Sequence, residues 1–277
     1  MRIAGTTVAI TGAGSGIGRA LALAAASRGA RIAGLDWNAE SMEETAALVR
    51  KAGGACLAHC GDVTQPGSAE GFAQAVVAEY GAVDILVNNA GIIQPFIPFS
   101  RLTIEQIERV FAVNWWGVVH TTRAFLPRLR ERPEARLVNM SSMGGFCPVP
   151  GQGVYGASKA AVKLFSEALA AELKRTSVGV TVVLPGAVRT NILANAPDMS
   201  EHAKRSQLDA SQRSSYGVTA QAAAQAIVRG VEVGAARVLV GADSKILDLV
   251  TRVVPERAGP LMAMLMKKAG IDVTDGP

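Results

Sequence analysis

Tyr155 and Lys159 stand four residues apart in a stretch whose apolar positions, among them Val154, Ala161, Phe165 and Ala168, recur with helical periodicity. Positions i and i+4 share one helix face, so this spacing predicts that the phenol and the ammonium converge. Such a pair suits proton transfer. A free phenol has a pKa of about 10, and acid or base work near neutrality requires a shift of about three units, or ~4 kcal/mol. A neighbouring cation is a physical source for that shift. A lone YxxxK arises by chance in many helices, so the surrounding elements must carry the rest of the argument.

Those elements alternate. Short β-branched runs at Thr7–Thr11, Arg31–Asp36, Ala55–Cys60, Asp84–Asn88, Arg136–Met140, Val180–Leu184 and Val238–Val240 read as strands. Between them lie helical stretches, including an Ala- and Leu-rich one up to Arg28, an acidic one over Ser41–Lys51 and one over Gly71–Tyr80. Strands and helices alternating in this way predict a Rossmann-type, doubly wound, mostly parallel seven-stranded sheet with helices on both faces. The chain has 277 residues, of which 49% are apolar and 18% charged, enough for one large core. No linker or repeat interrupts it, so residues 1–277 read as a single catalytic domain.

The first strand runs into Gly12-Ala13-Gly14-Ser15-Gly16-Ile17-Gly18, and a helix follows. Glycines there permit a tight turn, let a pyrophosphate approach the backbone and let the helix pack close to the strand. The helix start offers unpaired N–H groups to the anion. The second strand ends at Asp36, 18 residues beyond Gly18. A carboxylate there accepts the hydroxyls of an adenosine ribose and repels a 2′-phosphate by about 1–4 kcal/mol at ~4 Å, which selects NAD. Asp36 also suits the N-cap of the next helix. Arg19 is the nearest competing charge, and it reads as surface-placed.

With these residues in place the sequence resembles the short-chain dehydrogenase/reductase superfamily over roughly residues 5 to 241. Thr11–Gly18 matches its TGxxxGxG, Asn88-Asn89-Ala90-Gly91 its NNAG, and Tyr155–Lys159 its YxxxK; Ser142 stands 13 residues before the tyrosine. The resemblance implies an oxidoreductase with Asn114, Ser142, Tyr155 and Lys159 as the catalytic set. Tyr155 would exchange the proton with a carbonyl or alcohol oxygen. Lys159 would hold the nicotinamide ribose and depress the Tyr155 pKa. Ser142 would hydrogen-bond the substrate oxygen, and Asn114 would anchor a water. Cofactor contacts would come from Gly12, Ser15, Gly16, Ile17, Gly18, Asp36, Asp62, Val63, Asn89, Ala90, Gly91, Tyr155, Lys159, Pro185, Gly186, Val188 and Thr190. Asn88 would serve the scaffold more than the chemistry, and Trp115 and Trp116 read as packing.

Substrate contacts should lie in the loops at the strands' carboxyl ends. Residues 92–99 and 143–150 are apolar and Pro-stiffened, which favours an apolar alcohol or ketone, although burial under the tail would explain the same composition. Arg189 is the one nearby cation. The polar stretch 191–216 reads as a substrate lid and 242–277 as a C-terminal extension. Its part from Arg252 to Lys268 reads first as a packing arm, with a pocket cover or a weak membrane-surface helix as the other readings. Apolar residues on more than one face of the Tyr155 helix predict a homodimer or homotetramer. A non-catalytic dinucleotide-binding regulator or scaffold is the competing function.

Other classes fit poorly. Basic residues exceed acidic ones by 5 without forming a run, which argues against nucleic acid. Cys56 and Cys60 flank His59 without a second cluster to complete a metal site, so no metal is expected. Three cysteines without framework spacing and the absence of any leader or span-length apolar run point to a reducing, cytoplasmic setting.

Overall fold

The computed structural model describes residues 1–190 and 217–268. The stretch 191–216, read as a lid, and the end of the extension at 269–277 lie outside the described residues.

The wholly buried run Thr7–Thr11 forms β1, and β2 (Arg31–Asp36), β3 (Cys56–Cys60), β4 (Ile85–Asn88), β5 (Ala135–Met140), β6 (Val178–Pro185) and a last strand Arg237–Val240 join it in one sheet. The spatial order is β3-β2-β1-β4-β5-β6 and then that last strand, and every pairing is parallel. The order reverses between β1 and β4, where a doubly wound sheet opens a crevice at its carboxyl end.

Helices cover both faces. On one, α1 (Gly16–Ala26), α2 (Ala39–Lys51) and the helix Ala220–Glu232 pack Leu21, Met42 and Ile227 against Ile10, Ile32 and Val183. On the other, α3 (Pro66–Tyr80), α5 (Gly117–Arg130) and α6 (Gly153–Glu172) pack Phe72, Phe125 and Leu169 against Leu35, Leu86 and Leu137. Between α4 (Ile104–Phe111) and α5 the chain makes one π-helical turn, Ala112–Trp116.

Several boundaries differ from the sequence reading. The helix expected from Gly71 begins at Pro66, because a proline at N1 starts a helix that apolar periodicity does not mark. The first helix stops at Ala26, and Gly29 turns the chain at φ +83°. Asp36 is not the cap of α2. Asn38 is, accepting from Ser41 N–H at 2.9 Å. Arg19 is not a loose surface charge either: it donates to Ser41 O, Thr45 Oγ1 and Glu44, fixing α1 to α2. A second, two-stranded parallel sheet of β7 (Val188–Arg189) and β8 (Val218–Thr219) was not expected. The extension forms α8 (Ala242–Val253) and α9 (Pro255–Lys268), counting Ala220–Glu232 as α7 and Arg237–Val240 as β9. Among the described residues no helix is long and apolar enough to cross a membrane.

Candidate active site

The carboxyl ends of the strands enclose a cavity of about 1200 Å³. Its wall includes Gly12, Ser15, Gly16 and Ile17 from the first turn and Asp36 from β2. Asp62, Val63, Asn89, Ala90, Gly91, Ser142, Tyr155, Lys159, Pro185, Gly186, Val188 and Thr190 also line it. Two expected cofactor or catalytic residues are not on this wall. Gly18 lies behind the turn, where an added Cβ would overlap the Gly12 carbonyl, so its role is to let α1 sit against β1. Asn114 is fully buried beneath the surface.

The glycine turn is held from two sides. The Asn89 side chain donates to the carbonyls of Thr11 and Gly12 at 3.0 and 3.1 Å, and Thr11 Oγ1 accepts from the N–H groups of Asn89 and Ala90. Gly12 sits at φ +65°, and a Cβ there would come within 2.8 Å of the Ala90 backbone. On the outer side the Asp36 carboxylate accepts from Gly14 N–H at 2.9 Å and from Asn38 N–H at 3.0 Å. Each carboxylate oxygen keeps acceptor capacity for a ribose hydroxyl. Asp62 is exposed beside it and accepts from Thr64 N–H.

At the other end the helix α6 places Tyr155 and Lys159 on one face, with Lys159 Nζ 5.9 Å from the phenol ring centre. Lys159 is 4% exposed and donates to the Met140 carbonyl at 3.0 Å. Burial lowers its pKa from 10.5 to about 8. Tyr155 departs from the expected direction: burial raises the phenol pKa above its ordinary value, and a hydrogen bond from Ser142 offsets only part of that rise. Burial disfavours the charge of the lysine as well, and its proximity does not outweigh the burial of the phenol. Ser142 Oγ accepts from Gly144 N–H at 3.1 Å, and its own O–H is the one turned to the Tyr155 oxygen.

Asn114 sits in the π-helical turn. Its amide donates to Ile92 O and Ser158 Oγ, both at 3.0 Å, and its Oδ1 accepts from Ile92 N–H at 2.9 Å. These bonds tie the chain after β4 to α6, and a water is not needed to explain the residue's burial. A Cβ on Gly91 would lie 3.1 Å from Lys159 Nζ and 3.2 Å from Asn114 Oδ1, so glycine there keeps the two groups beside one another. Below them Asn88 bridges Thr121, Thr122 and Asn139 in a buried network, consistent with a scaffold position.

Sequence reasoning missed three residues at this site. Gln94 Oε1 accepts from Tyr155 N–H at 2.8 Å, and its Nε2 donates to Gly151 O at 3.0 Å, which fixes the start of α6. Gln152 donates to Gln94 O at 3.1 Å. Both glutamines are buried, and the one sequence signal for it is a lone amide in each of two otherwise apolar or Gly- and Pro-containing stretches, 92–99 and 150–153. Arg109 on α4 lines the cavity and adds a second cation to Arg189.

The family model for short chain dehydrogenases matches residues 6–201. The chain belongs to the short-chain dehydrogenase family. It is 43% identical over 212 residues to a Mycobacterium tuberculosis protein named as an oxidoreductase, EphD, covering 74% of this chain but 36% of that relative. A second relative from the same organism, named as the oxidoreductase SadH, is 37% identical over 251 residues, 90% of this chain and 91% of its own. Among solved structures, a short chain dehydrogenase/reductase from Burkholderia phymatum in complex with NAD superposes with a TM-score of 0.80 at 26% identity, covering 100% of this chain and 99% of that one.

The extension backs one part of the cavity wall. Met262 and Met266 of α9 and Leu247 of α8 pack around the buried Cys147, and Phe96, Met143, Phe146 and Val149 lean on the same cluster. Phe96, Met143 and Val149 also line the cavity. The apolar composition of both loops therefore has two causes, burial under the extension and a cavity-facing wall. Of the three readings of the tail, the packing arm describes its inner face.

Proposed function

We propose that the protein is an NAD-preferring dehydrogenase or ketoreductase that interconverts a secondary alcohol and a ketone on an apolar small molecule. The observation that carries this reading is the meeting of Tyr155, Lys159 and Ser142 in one cavity with the glycine turn and Asp36. The turn fits a dinucleotide, since its glycines leave room that side chains would fill and the start of α1 faces the cavity. The NAD complex of the Burkholderia neighbour supports the same cofactor.

When bound, the nicotinamide accepts a hydride from an alcohol or gives one to a ketone. Tyr155 takes the hydroxyl proton in the first direction and returns it in the second. With substrate bound, Ser142 would turn its O–H from Tyr155 to the substrate oxygen and stabilise charge as it develops there. Lys159 holds the nicotinamide ribose hydroxyls. Tyr155 would reach its phenolate beside a bound oxidised cofactor, whose positive charge would supply the downward pKa shift that the protein's own groups do not. Asn114 and Gln94 keep α6 in place while this happens. Asp36 binds the adenosine ribose and repels a 2′-phosphate. We further propose self-association through α6 and the adjoining π turn, where Leu164 and Trp116 are 68% and 53% exposed.

The test is a panel of secondary alcohols and ketones followed by reduced-cofactor absorbance, with NAD and NADP compared. Turnover with NAD, at least about fivefold better in kcat/KM than with NADP, is expected from ~1–4 kcal/mol of repulsion. Turnover with NADP alone overturns the role of Asp36. NADH binding without turnover of any substrate would favour the regulator reading.

A further inference from the structure

The segment that carries Val188 and Thr190 to the cavity is held by the extension. Ser244 Oγ, fully buried, donates to the Leu184 carbonyl at 2.7 Å, and Gly186 N–H donates to Val240 O at 2.8 Å. Beyond Gly186, the Ala187 N–H donates to Asp243 Oδ2 at 2.6 Å. Asp243 lies in the first turn of α8, where the helix N–H groups favour a carboxylate. Room for that carboxylate has been made twice. A Cβ on Gly186 would overlap it, and so would one on Gly241, which sits at φ +96°. The held segment then returns to the phosphate cradle, because a Cβ on Gly16 would rest 3.5 Å from the Thr190 side chain.

We propose that Asp243 is a positioning residue for the cofactor: through Ala187 it sets the backbone that brings Val188 and Thr190 against the glycine turn. The extension thus takes part in binding, beyond its packing. The proposal rests on the cofactor reading above. Asp243 itself does not line the cavity and acts only through the segment it holds.

NADH titration by energy transfer from tryptophan reads binding directly, since Trp37 lines the cavity mouth and is 70% exposed. Asp243→Ala and Asp243→Asn are compared with Asp248→Asn, a control on the same helix that pairs with Arg237 and Arg252. A charge-assisted hydrogen bond predicts about tenfold weaker NADH binding for Asp243→Ala and a smaller loss for Asp243→Asn. KM for NAD should rise while kcat at saturating cofactor changes little. Asp248→Asn should lose thermal stability without losing affinity. NADH affinity equal to wild type in both Asp243 variants, an equal loss in Asp248→Asn, or failure of both Asp243 variants to fold would assign the residue to the scaffold and overturn the proposal. Absence of NADH binding by the wild type would instead refute the cofactor reading, and the proposal with it.

Discussion

Replacing Lys159 by methionine should stabilise the cofactor-free protein while removing its activity. The ammonium is buried against the Met140 carbonyl, and the fall of its pKa from 10.5 to about 8 corresponds to ~3 kcal/mol of destabilisation at neutral pH. Methionine fills similar space without charge. It leaves the Met140 carbonyl without its donor, at a cost of about 1 kcal/mol, so a net gain of ~2 kcal/mol remains. For a chain of this size that gain raises Tm by about 4–8 °C. The pH dependence fixes the cause. An unfolded lysine stays protonated up to its ordinary value, whereas the folded one sheds its proton above about 8. The wild type therefore bears the full burial cost below pH 8 and loses it as the pH rises towards 10.5, so the advantage of Lys159→Met should fade over that interval. Thermal melts at pH 7, 9 and ~10.5 check this, and added NADH should reverse the order by favouring the wild type. A variant less stable than wild type at pH 7, or a difference that is flat with pH, would refute the reasoning.

Met262→Ala should cost about 2–3 kcal/mol in urea unfolding, as truncation of a buried methionine does, because it opens the cluster around Cys147. The same variant should raise KM for bulky apolar substrates with NADH affinity unchanged, since Phe96, Met143 and Val149 join that cluster to the cavity. Leu164→Asp should shift the protein to a smaller species in light scattering with Tm of the monomer nearly unchanged, because the side chain is 68% exposed and contributes little to the core. An unchanged mass in that variant would remove α6 from the interface.

Most strands were legible because they are apolar, often β-branched runs bounded by helical stretches, whereas β3, Cys56–Cys60, is only partly buried and has no β-branched residue, and the strand order had no signal in the sequence. The glycine turn was legible for a local reason: close approach leaves no space for Cβ at Gly12 or Gly18. What escaped the sequence depends on contacts between distant segments. The Asn38 cap displaced Asp36 because Asp36 already accepts from Gly14 across the sheet edge. The π turn has no periodic signature of its own. Gln94 and Gln152 look like loop polarity until they are seen to hold Tyr155 N–H and one another. The pKa of Tyr155 was expected to fall on proximity to Lys159, yet burial acts on both groups and pushes each towards its neutral form. Loop apolarity over 143–150 was ambiguous for a related reason, as the extension and the cavity share those side chains.

Tyr155→Phe tests the central claim most directly. Removal of one hydroxyl leaves the cavity wall and the other expected cofactor contacts in place, so NADH binding should be nearly intact. Oxidation of a secondary alcohol that the wild type turns over with NAD should fall by at least about 10²-fold, the ordinary contribution of a general acid or base. Turnover by Tyr155→Phe at the wild-type rate would contradict the account.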